Sequence, residues 1–159
     1  MHVETITYTD YAGNERTETF RFNLNQRELT KLYAELGILD AVVKEDAVDE
    51  KAAVQFLQDQ PASKSFIFLD KIVLASYGKI SQDGRRFEKN NGEYAQELSE
   101  TPIYNDLLWD LILNPEKLSK FLEETIESIP ENDREKATTA IEQFKERNSH
   151  ANPIPPTAQ

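Results

Sequence analysis

The chain has 159 residues, 38% hydrophobic and 30% charged, enough for one domain burying roughly 70% of its unfolded surface with no metal or disulfide staple. Its 18 basic and 29 acidic residues leave a formal net charge of -11 and a pI near 4.7, the wrong sign for gripping a phosphate backbone or an anionic bilayer. With no cysteine it has no disulfide, thiol nucleophile, iron–sulfur cluster or cysteine zinc site, and no apolar run approaches the roughly 20 residues of a membrane span.

The opening residues, from Met1 to Thr5, lack the basic and apolar regions of a signal peptide, so export is not expected. Ile6 and Tyr8 alternate with Thr5, Thr7 and Thr9, the β-branched and aromatic pattern of a half-buried strand. Asp10 to Glu15 supply turn chemistry around Gly13, and Phe20 and Phe22 then alternate with Thr17, Thr19 and Arg21. The spacing predicts a hairpin over residues 3–22. A lone hairpin is marginal in water, so Ile6, Phe20 and Phe22 call for a helical cover.

Helical patterns fill most of the remainder. Asn25 and Glu28 form a capping-box pair, and Leu29, Leu32, Tyr33 and Leu36 follow at helical spacing until Gly37. Residues 38–60 read as two weakly patterned helices that end before Pro61. A central helix is expected over 63–77, with Phe66, Leu69, Ile72, Val73 and Tyr77 as its core stripe and Gly78 as its stop. Residues 79–92 lose periodicity and read as a loop; Tyr94 and Leu98 mark a short helix. Thr101-Pro102 and Asn114-Pro115 each start a further helix, lined by Ile103, Leu107, Leu108, Leu111 and Ile112, then by Leu118, Phe121, Leu122 and Ile126. A final run, 133–147, has a thin anchor face of Ala137, Ile141 and Phe144, and the proline-rich 148–159, free of Asp, Glu, Lys and Arg, reads as a disordered tail. The fold class expected is therefore mainly α with an N-terminal β-hairpin, an α+β arrangement of residues 1–129 with a helical extension over 130–147 and the tail beyond.

The chemical inventory is sparse. The only histidines, His2 and His150, lie near the termini and read as exposed residues outside any catalytic arrangement. Asp46, Asp49, Glu50, Glu123, Glu124 and Glu127 lie on polar helix faces, which favours solvation over a paired-carboxylate hydrolase. No EF-hand spacing or glycine-rich phosphate cradle is present. The sequence thus offers no catalytic residue, no metal ligand set and no cofactor site. Arg85-Arg86-Phe87 is the one basic island beside an aromatic ring; its residue types suit phosphate or nucleic acid, which so acidic a chain disfavours, a protein contact, or simply a loop tied to nearby carboxylates. Trp109, the single tryptophan, shares a helix with Tyr104 and so many apolar residues that burial in the core and exposure on a client or oligomer face both remain open. Tyr77, Arg85, Arg86, Phe87, Tyr104 and Trp109 are the candidate partner-binding residues.

Several landmarks occur in a recognisable order: Tyr8-Thr9-Asp10-Tyr11-Ala12-Gly13-Asn14-Glu15-Arg16, Phe20-Arg21-Phe22-Asn23-Leu24, Ala75-Ser76-Tyr77-Gly78-Lys79, Ser81-Gln82-Asp83-Gly84-Arg85-Arg86-Phe87, Thr101-Pro102-Ile103-Tyr104 and Leu118-Ser119-Lys120-Phe121-Leu122. This ordered set, spanning Met1 to Ile129, resembles the tail assembly chaperones of long-tailed, siphovirus-type phages. The resemblance implies a non-enzymatic protein of the host cytoplasm that binds the tape measure protein, keeps that long helical client soluble, and is displaced as tail tube protein polymerises, leaving it absent from the mature virion. It also implies a homo-oligomer, and a longer frameshifted form whose added domain contacts the client; this chain corresponds to the short form. No nucleic-acid or membrane partner is expected. The rival reading is an acidic protein-interaction adaptor or inhibitor of another pathway, which predicts strong salt dependence where apolar client binding does not.

Overall fold

The computed structural model, which describes residues 1–40, 55, 58–127, 133, 136, 139–144, 146 and 147, bears out a mainly helical fold with an N-terminal β-hairpin. Strands β1 (His2–Thr9) and β2 (Glu15–Phe22) pair antiparallel with an unbroken register from His2 opposite Phe22 to Thr9 opposite Glu15. The turn is organised by Asp10, whose carboxylate accepts from the amides of Ala12 and Asn14, both at 2.9 Å, and from Arg16 Nε at 2.5 Å. Period-two alternation then sorts the faces. Phe20 and Phe22 turn inward and are buried, while Thr5–Thr19 (2.9 Å) and Thr7–Thr17 (2.8 Å) bond hydroxyl to hydroxyl on the solvent face.

Helix α1 (Gln26–Glu35) begins with the expected capping box, Asn25 and Glu28 bonding reciprocally, and stops as Gly37 takes φ 73°. It buries Leu29, Leu32 and Tyr33. The two helices expected over 38–60 lie mostly outside the described residues; within that stretch Leu39, Asp40, Gln55, Gln58 and Asp59 are helical. Helix α2 (Ala62–Ser76) follows Pro61 and buries Phe68, Leu69, Ile72 and Val73. Phe66, expected on the core stripe, is instead 43% exposed. The four consecutive apolar residues Phe66 to Leu69 sweep about 300° of a helix, so not all can face the core. Phe68 takes the inward place because its ring stacks on Tyr33, with centroids 6.4 Å apart and planes 16° from parallel.

The stretch after α2 departs from the expected loop. Tyr77 is already extended (φ -69°, ψ 137°), and the chain continues as β3 (Tyr77–Ile80), turns, and returns as β4 (Phe87–Glu88). β3 pairs with β2 and β4 with β3, giving a four-stranded sheet in the order β1-β2-β3-β4. Gly78 therefore serves a different purpose from a helix stop. A Cβ there would lie 2.6 Å from Phe87 Cε1 and 2.7 Å from the Glu88 carbonyl oxygen, so the bare backbone is what lets β4 close over β3.

Beyond a 3-10 turn (Asn90–Gly92) come α3 (Glu93–Ser99), α4 (Pro102–Leu113) and α5 (Pro115–Thr125). Both proline starts are found as expected. Thr101 does not cap α4 with its hydroxyl, which bonds back to the Leu98 carbonyl at 2.6 Å. Helix α5 ends at Thr125, and Ile126, expected on its apolar stripe, instead turns extended and forms a parallel bridge with Leu24. Leu24 N–H donates to Thr125 O (2.8 Å), and Glu127 N–H donates to Leu24 O (3.0 Å). His2, expected to be exposed, is only 8% so: Nδ1 lies 2.7 Å from Glu124 Oε2 and the ring meets Phe121 edge-on at 5.1 Å. Further on, Ile141 packs against the core as expected, Phe144 is exposed, and Ala137 and the tail 148–159 lie outside the described residues.

Gly78→Ala should destabilise the domain by about 1–3 kcal/mol, the range for overpacking a close contact, and should do so by parting β4 from β3. Urea denaturation measures the loss, and hydrogen exchange at Lys79 and Ile80 locates it.

Candidate functional site

Helices α2, α4 and α5 leave an apolar groove between them. From α2 come Phe66 and Leu69, from α4 Trp109 and Ile112, and from α5 Leu118; Gln60, Ala62 and Ser65 complete a depression of about 550 Å³. The Phe66 and Trp109 rings sit 6.4 Å apart at 46°, 43% and 48% exposed respectively. Large aromatic rings half in water are an unfavourable use of apolar surface unless something covers them. Ile67 on α2 and Leu113 at the end of α4 are also exposed, at 52% and 72%. The opposite side of α4 is fully used, with Ile103, Tyr104, Leu107, Leu108 and Leu111 buried. One side of this helix is core, and the Trp109 side faces outward.

The six candidate residues do not form one surface. Tyr104 is buried, and its hydroxyl donates to Asp70 Oδ1 at 2.5 Å, tying α4 to α2. Burial, reinforced by that carboxylate, pushes its pKa well above the ordinary tyrosine value. Tyr77 is half-buried between Phe20 (6.2 Å) and Phe22 (5.7 Å), and its pKa too is raised, first by burial and then by Glu18. Phe87 lies over Gly78 in the β3–β4 hairpin. Arg85 and Arg86 are exposed on its turn, where Arg86 Nη2 meets Glu88 Oε1 at 2.8 Å, a contact of the loop-tying kind. The turn itself is held by Ser81, whose hydroxyl contacts Asp83 Oδ1 at 2.6 Å and accepts from Arg86 N–H at 3.0 Å. Asp83, bonded to that hydroxyl, has its pKa lowered. Trp109 stands apart in the groove, beside Phe66, which sequence reasoning placed in the core. The overfilled Phe66 to Leu69 run was the available signal for it.

A second depression, about 490 Å³, lies between the hairpin and α3, lined by Tyr8, Tyr11, Arg16, Tyr77, Glu97 and Pro102 among others. Its lining mixes aromatic and apolar side chains with charges of both signs: Arg16 is bound to Asp10, and Lys79 meets Glu97 at 3.5 Å and the Tyr94 ring at 4.1 Å. Among the described residues no group of three His, Cys, Asp or Glu side chains could hold a metal ion, and no helix is long and apolar enough to cross a membrane. The apolar groove is accordingly the surface best suited to binding a partner.

Because Tyr8, Tyr77 and Tyr104 all titrate above the free value, their contribution to stability is whole below about pH 10 and fades as the pH rises beyond it. Phenolate absorbance should therefore show delayed ionisation in the folded protein relative to the urea-unfolded chain. Tyr104→Phe, which leaves Asp70 without its donor, should lower stability by about 1–2 kcal/mol and remove part of that delay.

Neither curated proteins nor solved structures yield a match to the chain. A family model described as phage tail assembly chaperone matches residues 1–156, running past Ile129, where the ordered motifs that resemble the family end. With nearly its whole length matched, the chain belongs to the phage tail assembly chaperone family.

Proposed function

We propose that this protein acts by binding rather than by catalysis, holding a helical segment of the tape measure protein in the groove between α2 and α4 while the tail is assembled in the host cytoplasm. The observation that carries the proposal is the Phe66–Trp109 pair, two large rings 6.4 Å apart and about half exposed in a groove whose other walls are largely apolar. An amphipathic client helix offers the complementary surface: apolar side chains spaced to enter such a groove, with aromatic anchors supplying most of the binding energy. The rest of the exterior serves solubility. A net charge of -11 keeps chaperone–client complexes apart by repulsion and solvation. Release as tail tube protein polymerises, absence from the virion, and client contacts by a longer frameshifted form complete this reading.

Co-expression with the tape measure protein should yield a soluble complex that co-elutes in size-exclusion chromatography. Trp109→Ala and Phe66→Ala should each weaken it roughly thirtyfold or more, the loss typical of an interface anchor, while changing urea stability little because both rings are already half in water. Binding by apolar burial should survive moderate salt. A complex that dissolves as salt is raised, and is indifferent to both alanine variants, would instead fit an acidic adaptor reading a basic partner.

A further inference from the structure

The depression between the hairpin and α3 is built largely on tyrosine. Tyr8 lies near the end of β1, Tyr11 stands on the turn, Tyr77 opens β3, and Pro102 begins α4. Tyr11 is 82% exposed, more than any other large apolar side chain among the described residues. Tyr8 donates its hydroxyl to Glu18 Oε2 at 3.0 Å, whereas the hydroxyls of Tyr11 and Tyr77 have no hydrogen-bond partner among the described residues. The depression thus offers flat aromatic faces, two unused donors and a rim that includes Asp10, Glu18, Glu97 and Glu100.

That combination suits one kind of peptide. Proline brings a flat ring for stacking and a carbonyl acceptor but no N–H, and proline-rich segments enter aromatic-lined grooves at a low ordering cost because φ is already fixed. The chain carries such a segment in Asn152-Pro153-Ile154-Pro155-Pro156. Residues 148–159 hold no Asp, Glu, Lys or Arg, so the segment meets the acidic rim without like-charge repulsion. Pro153 and Pro156 are one turn apart in a polyproline II helix, about 9 Å, which sets both rings on the same edge. The family match runs through Pro156 and therefore includes the whole segment. Six residues lead from Arg147, the last residue described, to Pro153; extended they span about 20 Å, against a radius of gyration of about 15 Å for a domain of this length.

We propose that Pro153 to Pro156 docks as a polyproline II helix in the tyrosine-lined depression of its own chain. The proline rings lie on Tyr8, Tyr11 and Tyr77, and backbone carbonyls of the segment accept from the Tyr11 and Tyr77 hydroxyls. Because the ligand is tethered, its effective concentration is in the millimolar range, and a contact too weak to hold a free peptide suffices. Docking ties the C-terminal extension to the hairpin. The two depressions share no lining residue, so the Phe66–Trp109 groove stays open while the segment is seated.

Nuclear magnetic resonance of the intact protein tests this directly. Proline ring protons of residues 153–156 should show cross-relaxation with the rings of Tyr8, Tyr11 or Tyr77, unchanged on dilution, and the Ile154 amide should be as ordered as those of the domain. Tyr11→Ala, at a ring already 82% exposed, should leave the circular dichroism unchanged and favour release of the segment about five- to tenfold, read from the Ile154 amide shift. The double variant Pro153→Ala/Pro156→Ala should release it likewise. An Ile154 amide with random-coil shifts and fast local motion in the unaltered protein overturns the proposal. Contacts to Phe66 and Trp109 in place of the tyrosines overturn the choice of groove, and contacts that fade on dilution overturn docking within one chain in favour of a second copy. A docked segment indifferent to both variants overturns recognition of proline by tyrosine.

Discussion

Phe22 is the point on which sheet and helices converge. Its ring, with no exposed surface, meets Phe121 of α5 edge-on at 5.3 Å, Tyr77 of β3 at 5.7 Å and His2 of β1 at 6.1 Å. Those three neighbours come from segments that are far apart in the chain, and none could bury its apolar surface within its own element. A hairpin cannot exclude water from one of its faces unaided. The need to cover Phe20 and Phe22 therefore dictates where α5 lies, brings β3 alongside β2, and turns the first residues of the chain into part of the core.

What was legible in the sequence was local. The hairpin announced itself through strict alternation and an Asp-to-Gly turn, α1 through its capping box, and α4 and α5 through prolines at their first positions. What was not legible was decided by partners distant in sequence. β3 and β4 have four and two residues, too few to display a period, and they exist because β2 offers an edge and Gly78 leaves room for Phe87. The burial of His2 likewise depends on Glu124 and Phe121, which no local pattern connects to it.

The groove shows the same division. That α4 carried more apolar residues than one stripe could use was apparent from composition, and Trp109 stood out as its bulkiest member. Its neighbour Phe66 did not stand out, since a run of four apolar residues does not disclose its own rotational phase; Tyr33, by stacking on Phe68, chose it. Tyr104 illustrates the converse. An aromatic residue bordering an exposed patch looked available for binding, yet the nearby Asp70 carboxylate draws its hydroxyl inward and makes it a fastener between helices.

The parallel bridge between Leu24 and Ile126 has a consequence for how the protein emerges from the ribosome. The hairpin can form as soon as its two strands are synthesised, because every contact within it is local. Its inner face cannot be shielded until α5 and Glu127 have been made, since Phe121 covers Phe22 and Glu127 N–H completes the clasp on Leu24. Until then the nascent chain presents wet apolar surface of its own, as its proposed client does. Closure of the core over the hairpin thus waits on residues 121–127 rather than on the hairpin itself.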